Sequence, residues 1–104
     1  MLEISTAKVV RVIFLGREFG PDSDQLKDYI SGLNDDEKAN LVALHWVGRE
    51  TYDAAEFEEA KQTALIEATA PTERYLSGVP DLSECLEDGL DKLGIDVTDV
   101  EDHM

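Results

Sequence analysis

Apolar positions crowd most densely into one stretch of the chain. From Ala39 to Val47 only Asn40 and His45 are not apolar. A helix over that span has no face left for water and belongs at the centre of a fold. It opens at Asn34-Asp35-Asp36-Glu37, where Asn34 can cap and Glu37 can reach back from three residues on. The acids there also favour the positive end of the helix dipole. Gly48 is expected to stop it.

The remaining apolar positions recur at helical spacing in shorter segments. Ser5 or Thr6 caps a first helix through Phe19, with Val9, Val12, Ile13 and Gly16 on one face and Val10, Phe14 and Arg17 beside it. The β-branched residues of this segment also permit a strand. Its length and its lack of alternation favour helix, and Gly20-Pro21 ends it. A second helix starts near Asp22, with Gln25 at capping-box spacing, and buries Leu26, Tyr29, Ile30 and Leu33.

Tyr52-Asp53-Ala54-Ala55-Glu56-Phe57 reads as a cap, a capping box and a hydrophobic staple between Tyr52 and Phe57. The fourth helix then runs to about Ala68, with Phe57, Ala60, Ala64, Leu65 and Ala68 inward and Glu58, Glu59 and Glu67 outward. Pro71 begins a short fifth helix that ends at Ser77-Gly78. Asp81 and Glu84 open a sixth, striped by Leu82, Leu86, Leu90 and Leu93. Gly94 closes it, and Ile95 folds back on Leu90 in a Schellman stop. The expected fold is all-α: a single-domain orthogonal bundle of five or six helices within residues 1–95, around a buried central helix at about 35–47. An acidic tail follows at 96–104, with one further turn near Thr98 as an option.

Charge changes the picture. Asp and Glu number 24 against 9 Lys and Arg, a formal net charge of −15. Such a field repels nucleic-acid backbones and anionic membranes. Solubility alone accounts for it; a basic protein partner, a nucleic-acid mimic or adaptation to high internal salt are the alternatives. A mimic needs carboxylates in rows on one face of the fourth and sixth helices. The single Cys85 fits a reducing compartment, and neither a signal peptide nor a membrane-length apolar run is legible. A cytoplasmic protein is the expectation.

Candidate chemistry is sparse. Residues from His45 to Glu56 resemble only the exit half of an EF-hand. His45, Val47 and Arg49 fall where oxygen ligands are needed, and Glu50 replaces the required Gly, so calcium is not expected. The histidine and cysteine content leaves no zinc site, and no metal or cofactor is expected. His45 reads first as a satisfied core histidine. Its alternative is a polar group in a pocket with Trp46, Arg49 and Tyr52, open to a small ligand or a proton. Acidic neighbours Glu84, Glu87 and Asp88 should raise the Cys85 pKa and quiet its thiol. Arg74 and Tyr75 set a base and an aromatic into an acidic surface. Both types are frequent in binding hot spots, although Tyr75 can instead pack while Arg74 pairs with a carboxylate.

Three blocks resemble one family. They are Met1-Leu2-Glu3-Ile4-Ser5-Thr6; Leu33-Asn34-Asp35-Asp36-Glu37 with Leu41-Val42-Ala43-Leu44-His45-Trp46-Val47-Gly48-Arg49; and Tyr75-Leu76-Ser77-Gly78-Val79-Pro80 with Leu86-Glu87-Asp88-Gly89-Leu90. Together they resemble the bacterial family known as domain of unknown function 3775. The chain departs from it at Gly20 to Asp24, where family members often carry a longer acidic insertion. The resemblance implies a small helical bacterial protein and carries over no activity and no functional residue. The expected function is a non-enzymatic interaction module for a basic protein partner, with a homodimer as a further option. The alternatives are a small-ligand binder or enzyme at His45, and the nucleic-acid mimic.

Overall fold

Each early helix begins where the sequence supplies an oxygen for orphan backbone N–H groups. The computed structural model describes residues 4–67 and 72–95. In it the Ser5 hydroxyl accepts from the Lys8 amide and opens α1, Thr6–Phe19. The Ser23 hydroxyl accepts from the Leu26 amide and opens α2, Asp24–Ser31. The expected cap at Asp22 is therefore one residue early: Ser23 holds the extended cap conformation, and Asp22 belongs to the turn closed by the Ser23 amide on the Gly20 carbonyl.

Asn34 and Glu37 form the expected capping box at the start of α3, Asp35–Gly48. The Glu37 amide donates to Asn34 Oδ1 at 2.8 Å, and the Asn34 amide to Glu37 Oε1 at 3.1 Å. Asn34→Ala is expected to cost about 1 kcal/mol and to lower Tm by about 5 °C. Thermal unfolding followed by circular dichroism checks it, and an unchanged Tm would mean the cap carries no stability.

A 3-10 turn, Ala54–Glu56, leads into α4, Phe57–Ile66. The Asp53 amide donates to Glu56 Oε1 at 2.9 Å. The helix stops short of the expected Ala68, which lies outside the described residues. Leu65, expected inward, is 38% exposed, on the edge of a cleft it shares with Ala39 and Val42 of α3. Thr72–Ser77 form α5 and Leu82–Lys92 form α6. The expected Pro71 start of α5 and the tail from residue 96 also fall outside the described residues. Asp81 precedes α6 but makes no capping bond with its side chain, because its backbone is not in the extended conformation a cap needs. Among the described residues all regular structure is helical, so the fold is an all-α single domain.

Enclosure of α3 is the organising fact. Ala39 through His45 and Val47 are buried, and Trp46 is half-buried. α6 and α4 make its most extensive contacts, while α1 packs on α6 and α2. Lys8 of α1 pairs with the buried Glu37, raising the lysine and lowering the carboxyl from their ordinary values through their shared hydrogen bond.

Gly48 is the last residue of α3, the stop expected of it, and the chain leaves the helix through a Schellman motif. The Thr51 amide donates to the Trp46 carbonyl and the Glu50 amide to Val47, with Glu50 in the left-handed region at φ 69°. Glycine is needed at 48 for space. A Cβ there would stand 1.8 Å from the Cys85 carbonyl oxygen of α6. Gly89 of α6 returns the contact, since its Cβ would lie 2.4 Å from the Leu44 carbonyl oxygen. Two glycines, one on each helix, thus bring the α3 and α6 backbones together.

α6 ends as expected. The Ile95 amide donates to Leu90 and the Gly94 amide to Asp91, with Gly94 at φ 75°. Lys92 from that last turn donates to the Val47 carbonyl at 3.3 Å and pairs with Glu50, tying together the C-terminal ends of α3 and α6. No helix among the described residues is long and apolar enough to cross a membrane.

Candidate functional site

Burial of α3 leaves its one histidine in an unusual position. His45 is fully buried, and neither Nδ1 nor Nε2 has a hydrogen-bond partner among the described residues. The expectation of a core histidine holds; the expectation that it is satisfied does not. The ring it meets is Tyr75, edge to face, with centroids 6.2 Å apart and planes at 72°. An unpaired polar group in such surroundings costs about 1–3 kcal/mol. Burial is also the main reason the imidazole is pushed down to about 4. The Arg49 guanidinium adds to the shift and the Asp81 carboxylate opposes it. His45 is therefore neutral at pH 7.

One residue on, Trp46 turns toward the surface. Its indole N–H donates to the Tyr75 hydroxyl at 3.0 Å. Its ring stacks at a 30° tilt on Tyr52, centroids 5.7 Å apart. The Tyr52 hydroxyl in turn lies 3.4 Å from the Thr63 hydroxyl of α4. The ring of Tyr52 is thus placed on Trp46, beyond the staple with Phe57 that the sequence suggests. Four of the six candidate residues, His45, Trp46, Tyr52 and Tyr75, form one string running from α5 across α3 to α4. Trp46 is fixed on both sides, and Tyr75 holds a bonded hydroxyl while 41% exposed.

The two arginines stand apart from this string. Arg49, at the C-terminal end of α3, is exposed and reaches His45 only through its charge. Arg74 is exposed and makes no ion pair among the described residues, so the expected carboxylate pairing is not made. Cys85 is buried, and its thiol is pushed up first by burial and then by the adjacent Asp81. Among the described residues no cluster of three or more His, Cys, Asp or Glu is placed to hold a metal ion.

Two clefts escape a reading of the sequence, because each joins segments far apart in the chain. One, of about 580 Å³, lies between the start of α1, the 3-10 turn and the end of α6, against Ile4, Phe57, Leu93 and Ile95. The other, of about 210 Å³, lies between α3, the end of α4 and the start of α5. None of His45, Trp46, Arg49 or Tyr52 lines either one.

Residues 23–95 match the model of a family described as "Protein of unknown function (DUF3775)". All six candidate residues fall inside that stretch, whereas α1 and the opening block Met1 to Thr6 precede it. No match was found among curated proteins or among solved structures.

Proposed function

Since this chain belongs to the family of domain of unknown function 3775, for which no activity is assigned, we propose that it is a non-enzymatic interaction module that engages a basic protein partner in the cytoplasm. The observation that carries the reading is a pre-organised aromatic patch, Tyr75 exposed and Trp46 and Tyr52 half-buried, in a chain of net charge −15. Tyr75 and Trp46 hold each other by a side-chain hydrogen bond, and Tyr52 braces Trp46 from the other side. Rings fixed in this way lose little entropy when a partner covers them, and Tyr and Trp dominate interface hot spots. The net negative charge of the chain draws in a basic surface and speeds encounter at low salt.

The test is capture of partners from native cytosol by the whole chain, at low and then high salt. The expected result is a basic protein held at low salt, released at high salt, and lost with Tyr75→Ala. An empty capture at low salt contradicts the proposal.

A further inference from the structure

Charge is not spread evenly over the helices. α1 carries Lys8, Arg11 and Arg17 against Glu18, a net charge of +2, whereas each of the other helices is neutral or negative. A chain of charge −15 repels its own copies wherever carboxylates face carboxylates. α1 is the helix where that repulsion is weakest.

Packing leaves one stripe of α1 open to solvent. α6 and α2 pack on the helix, and Val9, Val10, Val12, Ile13, Leu15 and Gly16 are buried. Ala7, Arg11, Phe14 and Glu18 are exposed, at the spacing i, i+4, i+7 and i+11 that keeps four residues on one seam. Phe14 within it is 44% exposed, and Phe19 at the end of the helix is 52% exposed. Lys8 and Arg17 are engaged with Glu37 and Glu87. Arg11 and Glu18 make no ion pair among the described residues.

The stripe is complementary to itself. Arg11 lies three residues before Phe14 and Glu18 four after, about 4.5 and 6 Å along the axis. Two copies crossing antiparallel at Phe14 therefore bring Arg11 of each level with Glu18 of the other, within about 1.5 Å along the axis. The two rings meet at the two-fold axis and both charge pairs form at once. A parallel crossing would instead set Arg11 on Arg11 and Glu18 on Glu18.

We infer that a second copy of this chain docks on α1, through an antiparallel two-fold interface centred on Phe14 and closed by Arg11 and Glu18 of each copy. The apolar patch is small beside the roughly 800 Å² per partner of a standard interface, so the dimer is weak, with a Kd between about 10 µM and 1 mM. The inference does not rest on the basic-partner reading, whose rings stand on α3, α5 and the turn before α4.

The experiment is sedimentation equilibrium of the whole chain, across concentrations that bracket that Kd. The buffer holds about 0.15 M salt, which screens the net repulsion beyond about 8 Å. The expected result is a reversible monomer–dimer equilibrium that Phe14→Glu removes. Arg11→Glu and Glu18→Arg should each weaken it about tenfold or more by setting like charges together. The two changes combined should restore it to near the wild-type value. Glu18→Arg is the sharpest arm. It adds two positive charges and takes the chain from −15 to −13, so general repulsion alone predicts tighter association. All three positions are exposed, and thermal melts followed by circular dichroism check that each variant folds.

A monomer at every concentration overturns the inference. So does a dimer that Phe14→Glu leaves unchanged, that Glu18→Arg tightens, or that the combined charge swap fails to restore. None of these results touches the capture expected to depend on Tyr75, so the two readings stand or fall separately.

Discussion

Gly48→Ala is expected to destabilise the protein by about 3 kcal/mol or more, the upper range for forcing an atom into a packed interface. Helix propensity alone predicts the opposite, a gain of up to about 1 kcal/mol on replacing a helical glycine with alanine. The structure decides between the two. A methyl at 48 would sit 1.8 Å from the Cys85 carbonyl oxygen and 2.7 Å from its carbon, and backbone cannot swing aside as a side chain can. α3 and α6 must separate, and with them the contacts of Leu44, Val47, Leu86 and Leu90. Gly89→Ala, aimed at the Leu44 carbonyl, should act alike. The control is Gly32→Ala, where the new methyl meets nothing closer than 3.5 Å and the backbone is right-handed at φ −81°. That variant should be neutral or slightly stabilising. Urea midpoints of the three variants read the difference directly. Equal midpoints for Gly48→Ala and Gly32→Ala would mean that the helices do not meet at their backbones.

The second large effect is a dependence on pH carried by His45. Its folded pKa is lowered from 6.5 to about 4 by burial, with Arg49 adding and Asp81 opposing. A base whose folded pKa is depressed stabilises the fold fully above its unfolded pKa, and that contribution drains away as pH falls. Between pH 6.5 and about 4 the loss should approach 1.4 kcal/mol per unit and total about 3 kcal/mol. Other groups titrate near the lower end of this window. Glu37, held below its ordinary value by Lys8, gives stability that is present above its unfolded pKa and lost only at lower pH. Protonation of surface carboxylates meanwhile relieves self-repulsion in a chain of charge −15. The informative quantity is therefore the difference between the wild type and His45→Leu. That variant also removes two unpaired buried nitrogens, so it should be more stable at pH 7 by about 1–3 kcal/mol. Its advantage should widen on acidification to pH 4. A constant difference across the window would show that His45 does not stay neutral inside the fold.

The parts of this fold that the sequence makes legible are those written in local spacing. Asn34 and Glu37 announce the start of α3, the dense apolar run from Ala39 to Val47 announces its burial, and Gly94 with Ile95 announces the end of α6. Where the reading slips, a distant segment decides. Gly48 reads as the stop and does end α3, but nothing nearby shows that Cys85 will press against it. Leu65 has the spacing of an inward residue, yet it stands at a cleft that α3 and α4 leave open between them.

The candidate site divides in the same way. Trp46, Tyr52 and His45 are conspicuous by type and closeness in the chain, and Tyr75 by its apolar and acidic surroundings. Their joining into one string depends on α5 folding back across α3. The smaller cleft has no sequence signature, since three separated helices line it. The lack of a hydrogen bond at His45 is equally invisible in one dimension, because it depends on what every packed neighbour fails to offer.

All of these arguments presuppose that α3 is enclosed by the other helices. Native-state hydrogen exchange of the whole chain measures that enclosure residue by residue. Amides from Leu41 to Val47 should be the slowest in the protein, opening only with global unfolding, while those of the short α5 exchange far sooner. Exchange of the α3 amides as fast as those of α5, well below the global unfolding free energy, would contradict the enclosed helix and every role assigned to the residues upon it.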